Sequence, residues 1–386
     1  MEMMDIDVPL TVPSDKAGDD LSRLFARIQS ANNLLPELVN LLESNPSPEA
    51  LTAAAGALKA ISISSTRHAQ NIHFVFQHVL DAILDQCQLD QVVHFGQLSI
   101  YFRVRVKNYL VRRWHATLSN WVQKPVLFRD CMRHTKSVIS GSTALAFVDG
   151  ADWDSQDLDV YTPRGRGRDM VLSHLIHIEG YKVEVVTGDD EESPEPQVTP
   201  MYKNSQIQSV TKLSKQIYSR ALKQDVTRRI DVIESTVQNS ISPILRFHTS
   251  FVINWITSDS INVAYPRLTF AHVGLINDRI KLNRPKDQIW RDKYAERGFR
   301  MVLDTYELGQ MSCGSACPAL WRSTDDVGCM SVQFGDGDEG VFDELQWSLS
   351  KAVDDFSKQR KCMNVRCPRY RQELGKRSGA QALMSY

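Results

Sequence analysis

The sequence predicts an α+β protein with a helical N-terminal domain, and three observations predict it. Apolar residues recur at helical spacing through roughly the first third of the chain. After residue 124, short strand-like runs alternate with helical ones. An acidic, Pro-rich stretch without apolar periodicity then interrupts this second pattern.

In order, residues 1–17 carry Asp and Pro and read as a flexible N-terminus. Residues 18–123 read as a helical domain. Leu21, Leu24, Phe25 and Ile28, then Leu34, Leu35, Leu38 and Leu41, sit at helical intervals; a Pro-Ser-Pro break follows, and further helices are expected around His68–Cys87 and Ser99–Val122. The stretch "LLPELVNLL" has a faint likeness to the opening of an F-box, a pattern that any amphipathic helix beginning near a proline also produces. Residues 124–246 read as an α/β-patterned core: "KSVIS" a strand, "STALAFVDG" a helix, "DLDVY" a strand, "RDMVLSHLIHIEGY" a helix, and "KVEVV", "QSVTKLSK" and "TRRIDVIES" strands. Within it, 187–204 is expected to be a flexible acidic loop. Residues 247–303 are expected to be a helical extension, and 304–386 a mixed region ending in a basic tail.

A formal charge of −1 gives no global electrostatic case for nucleic acid or an anionic membrane, so such binding would need local patches. The start lacks a basic residue followed by an unbroken apolar stretch, and no window approaches ~18 continuous apolar residues. Seven cysteines fit reduced thiols better than a secreted disulfide framework. The expectation is an intracellular protein, of cytoplasm or nucleus, without membrane contact.

The chemistry gathers in "SVISGSTALAFVDGADWDSQDLDVY", residues 137–161. A strand ending at Ser140-Gly141-Ser142 and turning directly into a helix presents backbone N–H groups, a hydroxyl and a helix N-terminus together, which suits phosphate. Asp157 and Asp159 are two residues apart, so on a strand they share a face while Leu158 turns to the core. Adjacent carboxylates repel, and Mg²⁺ relieves this while bridging to triphosphate oxygens. Asp231 lies between Ile230 and Val232, so if those two face the core it faces the same cleft as a third carboxylate. Taken singly, a Gly-Ser before a helix also serves as a plain turn and cap, and Asp-x-Asp as a solvated strand.

In this order, Gly141-Ser142, Asp157-Leu158-Asp159 and Asp231 resemble the DNA polymerase β-type nucleotidyltransferase superfamily. More narrowly, "SVISGSTALAF", "SQDLDVY", "SPILRFHTSFVINWIT" and "KYAERGF" are together similar to a set of fungal proteins carrying that fold, over roughly residues 100–330. The resemblance implies a short mixed sheet flanked by helices. It implies that Gly141 and Ser142 hold the β- and γ-phosphates of a nucleoside triphosphate, that Asp157 and Asp159 ligate two ions (Mg²⁺ or Mn²⁺), and that Asp231 ligates one and helps activate the incoming hydroxyl. The implied reaction transfers a nucleotidyl group to an acceptor hydroxyl on RNA, a protein or a small molecule, with release of pyrophosphate. The alternatives are a catalytically inactive member acting as an adaptor, and a nucleic-acid-binding protein acting through its basic tail.

Five further candidates complete the reading. His248, in the expected helix "FHTSFVINWIT", is either a structural histidine or a nucleotide contact. Arg164, Arg166 and Arg168, and likewise Lys293 or Arg297, would suit phosphate or form a solvated face. Cys313, Cys317, Cys329, Cys362 and Cys367 raise zinc against free or buried thiols. "GDGDEG" reads as an acidic turn rather than a calcium loop. The tail from Lys358 packs eight Lys/Arg into twenty residues around Tyr370, for nucleic acid, a nuclear address or plain solvation.

Overall fold

The computed structural model describes residues 77, 79–151, 153, 155, 157–187, 206–219, 224–277, 285–303, 305–308, 317–318, 322–337 and 344–349. The chain forms two compact units, Met1–Gln86 and Cys87–Tyr386. In the first, residues 79–85 are helical. The expected N-terminus 1–17, the helices of 18–76, most of the acidic loop and the basic tail lie outside the described residues.

Three helices open the second unit: α1 (Leu89–Gln97), α2 (Ile100–Ser119) and α3 (Pro125–Thr135). Helix α2 starts where the Ser99 hydroxyl accepts the Phe102 N–H, satisfying one donor of its first turn, and buries Phe102, Val106, Tyr109, Leu110, Trp114 and Leu118 along one stripe. Pro125 suits the first turn of α3, and Lys136 ends that helix in the left-handed conformation.

The strands are β1 (Val138–Ser140), β2 (Asp157–Thr162), β3 (Lys182–Thr187), β4 (Ile207–Ser219), β5 (Gln224–Ser235), β6 (Asn254–Ile256), β7 (Ser260–Val263), β8 (Val273–Leu275), β9 (Arg300–Val302), β10 (Arg322–Ser323), β11 (Met330–Gln333) and β12 (Gln346–Trp347). Four helices alternate with them: α4 (Gly141–Asp149), α5 (Arg166–Ser173), α6 (Pro266–Phe270) and α7 (Pro285–Glu296). Eight strands form one mixed sheet in the order β11-β7-β6-β1-β2-β5-β4-β3, with β2–β5 its parallel pair. Two small sheets pair β8 with β9 and β10 with β12. Among the described residues no helix is long and apolar enough to cross a membrane.

The α+β expectation therefore stands, but the sheet is not short. Residues 247–303, expected to be a helical extension, hold α6 and α7 and a 3-10 turn at Ser250–Val252, but also contribute β6 and β7 to the main sheet and β8 and β9 to a small one. The reason is visible in "FVINWI". Val252, Ile253, Trp255 and Ile256 are all buried, and an apolar run closed in on every side carries no period to separate helix from strand. Its β-branched and aromatic residues suit the free edge of β1, where Ile139 pairs Ile256.

The two faces of the sheet are chemically distinct. On one, Leu158, Val160, Leu213, Ile230 and Val232 are fully buried, and α5 packs on β2 and β5. On the other, a row formed by Val138, Tyr161, Ile233 and Val210 is also buried, within a core that includes Ile241, Leu245, Trp255 and Tyr265. Two residues further along the strands, that second face changes from apolar to charged.

Candidate functional site

Strand alternation places the acids as their spacing predicts. Leu158 is buried, and Asp157 and Asp159 take the opposite face; Ile230 and Val232 are buried, and Asp231 turns the other way. Register then joins them. Asp159 is the Cα partner of Asp231 across the parallel β2–β5 pair, Ser140 of Asp159 across β1–β2, and Lys212 of Asp231 across β4–β5. One polar row, Ser140–Asp159–Asp231–Lys212, thus lies beside the buried Val138–Tyr161–Ile233–Val210 row. Asp157 stands one step further out, opposite Arg229.

One carboxylate oxygen from each of Asp157, Asp159 and Asp231 lies within 4.8 Å of the others, and among the described residues this is the group of three that could hold a metal ion. Burial pushes the Asp159 carboxyl up to about 8, the charges of Asp157 and Asp231 push the same way, and Lys293 and Lys212 pull back. Lys212 Nζ donates to Asp231 Oδ2 at 2.8 Å.

Helix α4 begins immediately beside these carboxylates. Gly141 has φ +69°, and a Cβ there would stand 2.1 Å from Asp159 Oδ2, so only glycine lets the turn and the carboxylate occupy the same corner. Ser142 and Thr143 follow, both buried; the Thr143 hydroxyl reaches the Asp157 carbonyl at 3.4 Å, and Trp153 Nε1 donates to the Ser142 carbonyl at 3.4 Å. The Ser140 hydroxyl is spent on the Asn254 carbonyl at 2.6 Å.

Helix α7 and the turn that follows it bring cations to the same place. Lys293 and Arg297 are held below their ordinary pKa, each chiefly by burial, while Asp157 pulls both upward and Asp159 also pulls up Lys293. The Arg297 guanidinium lies 4.7 Å from the Trp153 ring and 5.5 Å from that of Tyr294, and its Nη1 is buried without a hydrogen-bond partner among the described residues. His248 stacks on Trp290 at 4.0 Å and 17°. Burial and the Lys293 charge take its imidazole down to about 3, so the ring is neutral at pH 7. It sits in a short coil before a 3-10 turn, not in the helix expected there.

Other candidates fall elsewhere. Arg168 donates to the Thr211 hydroxyl at 3.2 Å and approaches Glu234, both on the opposite face of the sheet from Asp231, and Arg164 and Arg166 are exposed. Cys317 is buried, Cys329 is a free thiol, and Cys313, Cys362 and Cys367 lie outside the described residues. The first half of "GDGDEG" is a packing element: Gly335 and Gly337 press on Asp259, whose fully buried carboxylate is clamped by Arg129 and Arg133.

Sequence reasoning missed Lys212. Its one signal was parity: in "SVTKLSK" it alternates with Leu213, so a buried Leu213 puts Lys212 on the acidic face. No protein-family model, curated protein or solved structure matches the chain.

Proposed function

We propose that the protein is a metal-dependent nucleotidyltransferase of the DNA polymerase β type, moving a nucleotidyl group from a nucleoside triphosphate to an acceptor hydroxyl. The observation that carries this reading is the junction of the three-aspartate group with the start of α4, where Gly141 is cleared for the Asp159 carboxylate.

The donor set fits a divalent cation. Burial, and after it the charges of Asp157 and Asp231, hold Asp159 protonated well above the ordinary carboxylate range, and a hard cation with oxygen ligands lets all three ionise together. Bound there, it would neutralise charge developing on the transferring phosphoryl group. The chain's own residues do the rest. Backbone N–H groups of Gly141, Ser142 and Thr143 and the Ser142 hydroxyl receive the β- and γ-phosphates, and Lys293 and Arg297 face them with positive charge. Asp231 Oδ1, the oxygen not engaged by Lys212, takes the proton of the attacking hydroxyl. The bond formed joins acceptor oxygen to the α-phosphorus, the bond broken links that phosphorus to the β-phosphate oxygen, and pyrophosphate leaves.

The test is isothermal titration of each nucleoside triphosphate with Mg²⁺ and with Mn²⁺, on wild type and on the Asp157→Asn, Asp159→Asn double variant. Metal-dependent binding by wild type alone is expected. Absence of binding to all four by folded wild type would replace the enzyme reading with that of an adaptor.

A further inference from the structure

The strands set Lys212 and Asp231 side by side on one face of the sheet. They are Cα partners in the β4–β5 register, on one face, with Nζ 2.8 Å from Oδ2. The flanking residues hold that orientation. Thr211 and Leu213 are buried on the far face, so turning Lys212 away would bring Leu213 into the cleft. A second divalent ion on Asp231 would have to displace the ammonium or stand against it.

We propose that this site takes one divalent cation, on Asp157 and Asp159, and that the Lys212 ammonium occupies on Asp231 the place of a second. The inference rests on the nucleotidyltransferase reading above. It makes Lys212 a positioning residue: it holds Asp231 Oδ2 and leaves Oδ1 to the acceptor hydroxyl. It also predicts a metal stoichiometry different from the two ions that the superfamily resemblance implies.

Counting bound Mn²⁺ on the full chain by electron paramagnetic resonance tests it, with Mn²⁺ alone as the probe. Wild type is expected to bind one ion, Lys212→Arg one, Asp231→Asn one, and Lys212→Met two. Two ions on wild type, none on Asp231→Asn, or one on a folded Lys212→Met would each overturn the proposal. No ion on wild type would overturn the nucleotidyltransferase reading itself. The wild-type and Asp231→Asn counts decide the matter even if Lys212→Met does not fold.

Discussion

The Asp159 carboxylate fills the space that a side chain at position 141 would need: Oδ2 stands 2.1 Å from where a Cβ on Gly141 would be, and Gly141 has φ +69°. Replacing that glycine therefore strains the backbone and moves a buried acid at once. Gly141→Ala is expected to cost at least about 1–2 kcal/mol from the left-handed backbone alone, with a further loss from the displaced carboxylate. In an Asp159→Ala background only the backbone part should remain. Urea unfolding of the four proteins in this cycle measures the coupling, and simple additivity would show that the two groups do not meet.

The raised Asp159 pKa makes stability pH-dependent in a defined direction. Its folded value of about 8 lies above the ordinary carboxylate value of about 4. Its contribution to stability is then complete below pH ~4 and is lost as pH rises through ~8. In chelator at pH 8, Asp159→Asn should be more stable than wild type, and the gap should close by about pH 4. Adding Mn²⁺ at pH 8 should raise the melting temperature of wild type and leave that of the variant unchanged. Thermal melts across pH measure both effects.

Asp259 provides the opposite sign. Burial alone would raise its pKa, but hydrogen bonds from Arg133, Arg129 and Ser258 outweigh burial and hold it down at about 2. Its stabilisation is present above pH ~4 and is lost as pH falls toward 2. Its side chain is fully buried, and those of Arg129 and Arg133 are only 11% and 25% exposed. Asp259→Ala, which strands Arg129 and leaves Arg133 only Asp130, should cost about 3–5 kcal/mol in chemical unfolding. Mn²⁺ binding by the folded fraction should not change, since the clamp lies outside the acidic group.

Lys293 separates phosphate recognition from metal binding. Lys293→Met removes a cation facing Asp157 and Asp159 without touching a metal-capable carboxylate. Triphosphate affinity in Mg²⁺ is expected to fall about tenfold, the size of one charge-assisted contact, while Mn²⁺ affinity without nucleotide should not fall. Competition against a fluorescent triphosphate measures the first, and direct metal titration the second.

Local alternation made part of this site legible. With a period of two residues, "DLDV" and "RRIDVIES" determine that Asp157, Asp159 and Asp231 lie opposite Leu158, Ile230 and Val232, and the helix after Ser140 was equally readable from "GSTALAFVDG". The same logic failed at "FVINWI", because burial on all sides leaves no periodicity and the edge of β1 selected the strand.

What the sequence by itself determined is which way each side chain points along its own strand or helix, since that follows from backbone geometry over a few residues. Only the tertiary structure decided that Asp159 meets Asp231, that Asp231 meets Lys212, and that α7 and the turn after it set Lys293 and Arg297 against the acids. Those are choices of register and packing between segments distant in the chain. They are settled by how Leu158, Leu213, Ile230 and Val232 bury together on the far face of the sheet.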